Sequence, residues 1–513
     1  MFEKAVADPH RKSSARNLST GGIAVRLFLT CWLIFALHFA TNTVREIYPA
    51  LSLGDHLSFD VSEYAGIHPD IFEMEGRGTF INNNPGASMM GAIPYILARP
   101  VTDRIIERVQ RTRAENPAPE NTAEYDTIYP MAQEFYRNAR EKGFDIKFGL
   151  AAGLTTVGLM APVSALGAVV MFFILLSLTG NKRASIWLAL LYAFATPIFY
   201  RTAQLNQNVL LAHFALFAFV LLWRPWNRPE ETRKPFYFLA GLCTGWTVVL
   251  DYSGLVAVLA LSGYAFSKWL SFPKEKRAIG DLVRFGAGVS VCALILMAYQ
   301  WSSFGNPILP AQSYMPAANF TELGYRGFSL PSFDLLIQTA FSMRYGLFTS
   351  APILLAALIV PLWWRKKTAL LERRELFFVV AFVGLFFVFC SANQYGRMQF
   401  NTGVRHIVPV IPFLFLPVAN VLLRLPKMAA VMLGLAATYW SWCLVMYRDV
   451  EQGFGIFESI RHITLEGFRL PWLTTLEKMG FVQNASAIPL FLVCGVMIWA
   501  LWRVGSKSQI TEF

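Results

Sequence analysis

The sequence predicts an all-α polytopic membrane protein with about twelve transmembrane helices and a large first periplasmic loop carrying juxtamembrane helices. Three observations predict it. Of 513 residues, 55% are hydrophobic and only 15% charged, with mean hydropathy +0.43. A soluble domain carries roughly 25% charge. The apolar residues gather into runs long enough to cross a hydrocarbon core about 30 Å thick, and alternate short connections between those runs are basic. Intrinsic disorder is excluded, because low hydrophobicity is its signature. A single soluble core is excluded by length, since cores stop growing near about 250–300 residues.

In chain order the candidate spans are 22–41, 155–178, 184–201, 207–223, 236–250, 254–270, 284–301, 346–364, 376–392, 406–424, 428–446 and 486–503. Lys4, Arg11, Lys12 and Arg16 make residues 1–21 a cytoplasmic tail. From that start alternate connections should be basic. They are: Lys182-Arg183, Arg224 to Lys234, Lys268 to Arg284, Arg365 to Lys367 with Arg373-Arg374, Arg424 with Lys427, and Arg503 with Lys507. Both termini are expected in the cytoplasm, with the chain in a cell inner membrane. The first apolar run lacks a small-x-small cleavage site and is expected to be an anchor. The net charge of +12 thus mainly orients the spans. Nucleic acid, which needs a soluble basic face, is not an expected partner; membrane lipids are. All six cysteines lie in apolar runs without paired spacing and are expected to pack as small hydrophobes.

Polar sequence concentrates in the outside connections: loop 42–147, then 302–345, 393–405 and 448–485. The chain divides into a module over 22–425 and a C-terminal part over 426–513. Within loop 42–147, Val101 to Arg113 has amphipathic helical spacing, Asn116 to Glu120 breaks it, and Tyr129 to Lys142 has a second such pattern.

The chemistry concentrates at the start of that loop. Five acids (Glu46, Asp55, Asp60, Glu63, Asp70) lie between residues 46 and 70. The turn-rich string Gly78-Thr79-Phe80-Ile81-Asn82-Asn83-Asn84-Pro85-Gly86 follows. A solvated loop accounts for such turn residues. Many short polar groups at the membrane face also suit a hydrophilic group presented on a lipid. Arg201, Arg344, Arg397, Arg405 and His406 are outward cations near spans. Each alone is explained as an interfacial anchor. The Arg397 to His406 loop, however, carries three cations and no acid where the orientation rule disfavours them. Arginine forks bind phosphate oxygens in pairs. Asp251, at the outer end of a span, is either a site carboxylate or a helix-end residue reaching water. His213 is expected to be a core histidine, and Glu322 and Asp334 to face solvent. Oxygen-rich Asn/Asp clusters could hold a divalent cation, but no ligand spacing assigns one. No metal ligands are named and no organic cofactor is expected.

At this point several strings, in order, resemble one family. They are the Gly78 to Gly86 string, Gln207 to His213, Ala240-Gly241 to Asp251-Tyr252, Gly305-Asn306-Pro307, Tyr345-Gly346 to Pro352, and Gly403-Val404-Arg405-His406 to Pro412. The chain resembles bacterial membrane glycosyltransferases of the GT-C class, the group that includes protein mannosyltransferases and aminoarabinose transferases. The resemblance implies transfer of a sugar from a polyprenyl-phosphate carrier to a lipid, glycan or protein acceptor at the periplasmic face. A loop carboxylate would act as general base and cations would hold the lipid phosphate. Many members carry adjacent Asp-Glu after span 1, whereas here Thr41 to Arg45 precedes Glu46. The base is therefore Glu46, Asp60 or Asp70, with Asp60 and Asp70 favoured jointly. Arg344, Arg397, Arg405 and His406 are the expected lipid-phosphate ligands. Asn82, Asn83, Asn84 and Asp251 are the expected substrate contacts. The alternatives are a twelve-span secondary transporter or lipid flippase, which would show related halves and midplane charges, and a scaffold protein.

Overall fold

The computed structural model describes residues 19–41, 43–115, 130–226, 235–316, 322–363, 370–397, 403–447, 454–479, 482–483 and 486–503. The cations at 4–16, 234, 365–367 and 507, and the break at Asn116 to Glu120, lie outside them. The described chain is overwhelmingly helical, with one two-stranded hairpin, and it is a multi-pass membrane protein.

Six helices are long and apolar enough to cross a membrane: Thr20–Leu37 (α1), Asp145–Thr179, Gly254–Ser271, Ile279–Phe304, Arg373–Ala392 and Lys427–Met446. Four shorter apolar helices, Gln207–Trp223, Tyr237–Leu250, Val408–Leu422 and Ile488–Arg503, complete the set. The twelve expected spans are thus not all recovered. The 184–201 run divides into Lys182–Phe194 and Ile198–Thr202, because Pro197 has no N–H with which to continue the first helix. The 346–364 run becomes one short turn, Leu347–Ser350, followed by a 3-10 helix, Pro352–Trp363. The 155–178 run is instead extended backwards: helix Asp145–Thr179 begins ten residues earlier and contains a π turn at Thr156–Met160.

Close packing follows small residues. A Cβ on Gly241 would strike the Phe285 carbonyl, and one on Gly288 would strike the Phe238 carbonyl. Helices Tyr237–Leu250 and Ile279–Phe304 therefore pack backbone against backbone, as small-x-x-x-small faces do in membranes. In the same way Gly167 leaves room for the His213 ring. His213 is fully buried, with Nδ1 bonded to the Val209 carbonyl, which agrees with a packing role.

Loop 1 folds on top of this bundle. Helix Ile47–His56 (α2) leads to a hairpin of Ile71–Met74 (β1) and Gly78–Ile81 (β2), with Phe72 opposite Phe80. Those two rings pack against Phe304 at 6.3 and 5.2 Å and seat the hairpin on the helix pair just described. Helix Gly86–Glu115 (α3) follows and runs through Pro94 and Pro100. The amphipathic stretch after Val101 is therefore the second half of a helix that begins at Gly86. Arg113 donates to both carboxylate oxygens of Asp145, at 2.9 and 2.7 Å, and ties the far end of α3 to the start of the long span. The second amphipathic segment is the helix Pro130–Glu141.

Candidate functional site

The first span ends at Leu37 and the chain turns at Arg45-Glu46 into α2. Glu46 is buried, and its Oε1 accepts from Arg45 Nε at 3.1 Å. The other face of the same guanidinium meets Asp70, with Arg45 Nη1 3.6 Å from Asp70 Oδ2. Burial opposes the Arg45 charge, but Glu46, Asp70 and Asp251 together outweigh it and push its pKa up. Arg45 keeps 19% and Asp70 33% of its side-chain exposure, so water reaches this pair, whereas Glu46 is sealed at 2%.

Asp70 is held by its neighbours. Its backbone N–H donates to His68 Nδ1 at 3.0 Å, and its carbonyl accepts from Asn82 N at 3.2 Å. The first bond assigns His68, when neutral, a proton on Nε2. Burial is the main cause of a lowered His68 pKa, reinforced by Arg45 and Arg405 and opposed by Asp70 and Glu46.

The three asparagines divide by role. Asn84 Nδ2 donates to the Val248 carbonyl at 2.6 Å and clamps the start of α3 to the C-terminal end of helix Tyr237–Leu250. Gly86 completes this clamp, because a Cβ there would lie 2.7 Å from the Val249 carbonyl. Asn83 Nδ2 reaches Ser88 Oγ at 3.3 Å, and that hydroxyl donates to the Glu46 carbonyl at 2.8 Å. The Oδ1 atoms of Asn82 and Asn83 are buried without a hydrogen-bond partner among the described residues. Two residues past Val249, Asp251 ends its helix and accepts from Ser253 N at 2.9 Å.

The turn before helix Val408–Leu422 supplies further cations. Arg405 lies within electrostatic reach of Arg45, Glu46, Asp251 and Asp70. Burial first, then Arg45, lowers its pKa, and the three acids oppose that shift. His406 is likewise driven well down, by burial and by Arg405, Arg45 and Arg201. Arg201, 3% exposed, fixes this turn by donating from Nε to the Val404 carbonyl at 2.7 Å and from Nη2 to the Gly403 carbonyl at 2.6 Å. Gly403 has φ +65° and a Cβ on it would meet the Tyr200 hydroxyl, so a side chain is excluded both by backbone conformation and by space.

Of the expected site residues, Glu46 and Asp70 meet on Arg45, Asp251, Arg405 and His406 lie within electrostatic range of it, and Asn82 and Asn83 adjoin through the Asp70 and Glu46 backbones. Asp60, Arg397 and Arg344 are placed differently. Asp60 Oδ1 accepts from Ser62 N at 3.0 Å and from Thr79 N at 3.1 Å, so its carboxylate holds the hairpin to the loop before it. Arg397 Nη2 is bonded to Asp334 Oδ2 at 2.9 Å and its Nε to Gln394 at 3.2 Å. Asp334 therefore answers a cation, and that contact holds its pKa down. Arg344 adjoins Tyr345 and the Gly455 turn. The pairing of Arg45 with Glu46 is what their adjacency in the sequence suggests; that Arg45 also meets Asp70 carries no sequence signal. Sequence reasoning missed Tyr395, which feels Asp70, Arg326 and Arg45 and carries no sequence signal.

Among the described residues, Asp55, His56 and Glu63 alone bring three metal-type ligand atoms within 4.8 Å of one another. Lys147 bridges Asp55 and Glu63 at 2.9 and 3.2 Å, and Arg99 lies 3.4 Å from Asp55. These are ion pairs fastening loop 1 to helix Asp145–Thr179, separate from the cluster above.

Neither protein-family models, nor curated proteins, nor solved structures give any match to this chain.

Proposed function

We propose that this protein is a membrane glycosyltransferase that moves a sugar from a polyprenyl-phosphate carrier to an acceptor hydroxyl at the outer face of the inner membrane. Both termini lie in the cytoplasm in this reading. The observation that carries it is the pairing of a water-accessible loop-1 carboxylate, Asp70, with Arg45 at 3.6 Å, with Arg405 within electrostatic range of both. Burial disfavours the Arg405 charge where it stands, and an anionic ligand relieves that cost. Phosphate oxygens suit its planar fork.

Asp70 is the general base. Its carboxylate takes the proton of the acceptor hydroxyl as that oxygen bonds to the anomeric carbon. The bond from that carbon to the phosphate oxygen breaks, and the electron pair leaves on the lipid phosphate. Arg405 and Arg45 stabilise the charge that develops there. Glu46, sealed beneath Arg45, orients the guanidinium. Asn82 and Asn83 present acceptor oxygens for sugar hydroxyls.

The test is turnover of undecaprenyl-phosphate sugars by the full chain in nanodiscs, with products detected by mass. Asp70→Asn should lower turnover by about 100- to 10,000-fold, and Arg405→Ala should weaken carrier binding. Full activity in folded Asp70→Asn protein removes the assignment. Uptake of labelled solute driven by an ion gradient identifies a transporter instead.

A further inference from the structure

Helix α3 carries five arginines, and their partners divide by face. Arg99 lies 3.4 Å from both Asp55 and Asp103, and Arg113 is held by both oxygens of Asp145. Arg104, Arg108 and Arg111 are exposed, and none of their guanidinium groups has a partner among the described residues. Spacings of four and three put these three on one stripe of the helix, away from Arg99 and Arg113. Leu97 and Val101, 78% and 60% exposed, continue the stripe toward the start of the helix. On this side the acids are Glu107, at the edge of the row, and Glu115, in its last turn.

The ion pairs also fix how this stretch lies. Asp55 takes Arg99 and also Lys147 Nζ, at 2.9 Å, while Asp145 takes Arg113. Points fourteen residues apart on α3, about 21 Å of axis, are thus tied to positions only two residues apart on helix Asp145–Thr179. A helix running beside that span would meet a new turn of it at each of its own turns. The second half of α3 therefore lies across the end of the span. Asp145 and Lys147 are the last charges before an uncharged stretch that reaches Thr179. That end is the charged rim of a membrane-crossing helix.

We propose that Arg104, Arg108 and Arg111 dock on an anionic membrane surface, binding phospholipid head groups of net negative charge. Apolar exposure alone would suit any lipid. The arginine row is what selects charge. Three like charges at helical spacing repel one another, no carboxylate among the described residues answers them, and guanidinium forks pair with phosphate oxygens. Leu97 and Val101 enter the apolar edge of the interface, and the arginines beyond them reach the head groups. A basic side chain near an anionic surface adds about fivefold in affinity. The inference does not rest on the transfer reaction, because none of the three arginines belongs to the Arg45–Asp70 cluster.

The experiment places a fluorescent probe beside the row in the full chain, reconstituted in nanodiscs. Val101→Cys carries a bimane, none of the six native cysteines being exposed. The discs mix phosphatidylglycerol and phosphatidylcholine in equal parts, with bromine on the acyl chains of one lipid at a time. Brominated phosphatidylglycerol should quench the probe about twofold or more beyond brominated phosphatidylcholine. Adding Arg104→Gln, Arg108→Gln and Arg111→Gln together, at exposed side chains without partners to lose, should make the two lipids quench equally. No quenching by either lipid overturns the proposal, because the row then faces water. Equal quenching before the arginines are changed, or a preference that survives their change, overturns it too and makes the stretch an ordinary lipid contact. Loss of the preference in excess inorganic phosphate at matched ionic strength assigns the row to free phosphate, which also overturns docking on a membrane.

Discussion

Arg201 Nε donates to the Val404 carbonyl at 2.7 Å, across 203 residues of chain, and the same guanidinium takes the Gly403 carbonyl with Nη2. The sequence shows Arg201 only as a cation at the end of an apolar run. In the fold it is a buried fork that sets the direction of the next side chain, Arg405. Arg201→Ala leaves two carbonyls without donors. Charged hydrogen bonds contribute about 1.5–3 kcal/mol each, so the variant should lose at least about 2 kcal/mol, read as a lowered melting midpoint in detergent. Arg201→Lys keeps the charge but cannot span both carbonyls, and should recover less than half of the loss.

The two acids favoured jointly from sequence separate in this structure. Asp60 accepts backbone and side-chain donors around the hairpin, whereas Asp70 faces Arg45 and water. Asp60→Asn should therefore cost about 1 kcal/mol of stability and change turnover less than fivefold. Asp70→Asn should do the reverse, with a near-normal melting midpoint and about 100-fold or greater loss of turnover. Measuring both properties on both variants decides the matter, and the same pattern in each would refute the division.

A pH dependence follows from the histidines of the cluster. Folding lowers the pKa of His68 and of His406 below the ordinary value of about 6.5. Below that pH the unfolded chain binds protons that the folded chain does not, so stability rises with pH through this window. It is fully present above about pH 6.5 and is lost progressively as pH falls further. Melting midpoints taken from pH 8 to pH 5 should drop, and His68→Gln should flatten the drop. A midpoint that climbs on acidification contradicts the assignment.

Backbone contact between helices Tyr237–Leu250 and Ile279–Phe304 depends on glycine. Gly241→Leu or Gly288→Leu should destabilise by about 1–3 kcal/mol through overpacking. Because the hairpin rests on that pair, carrier binding should weaken along with stability, whereas Gly263→Leu, with open space around it, should be close to neutral. Thermal melting of the three variants side by side is the check.

Much of the architecture was legible in the chain. Apolar runs marked the helices, because a segment in hydrocarbon must satisfy its backbone internally. The amphipathic stretch after Val101 also appears as helix, whereas Gly78–Ile81 of the turn-rich string is a β-strand and only the residues from Asn82 to Pro85 turn. Pairings were not legible. Asn82, Asn83 and Asn84 read alike in sequence, yet Asn84 is consumed by Val248 while Asn82 and Asn83 keep buried side-chain oxygens without partners among the described residues. Arg397 looked like a phosphate ligand by charge context, yet Asp334, 63 residues away, takes it.

By itself the sequence determined that this chain lives in a membrane, that its polarity gathers in loop 1, and that acids and the cations beside the apolar runs are the groups with chemistry to offer. Local composition suffices for that, because hydrophobic transfer and backbone satisfaction are properties of each segment. Only the tertiary structure decided which acid meets which cation. Burial and Coulombic interaction depend on distances between segments hundreds of residues apart. Here those distances are set by ring packing on Phe304, by the glycine contact of two helices and by the Arg201 fork. Asp70, Arg45 and Arg405 share one cluster for those reasons, and none of the three contacts has a signature along the chain.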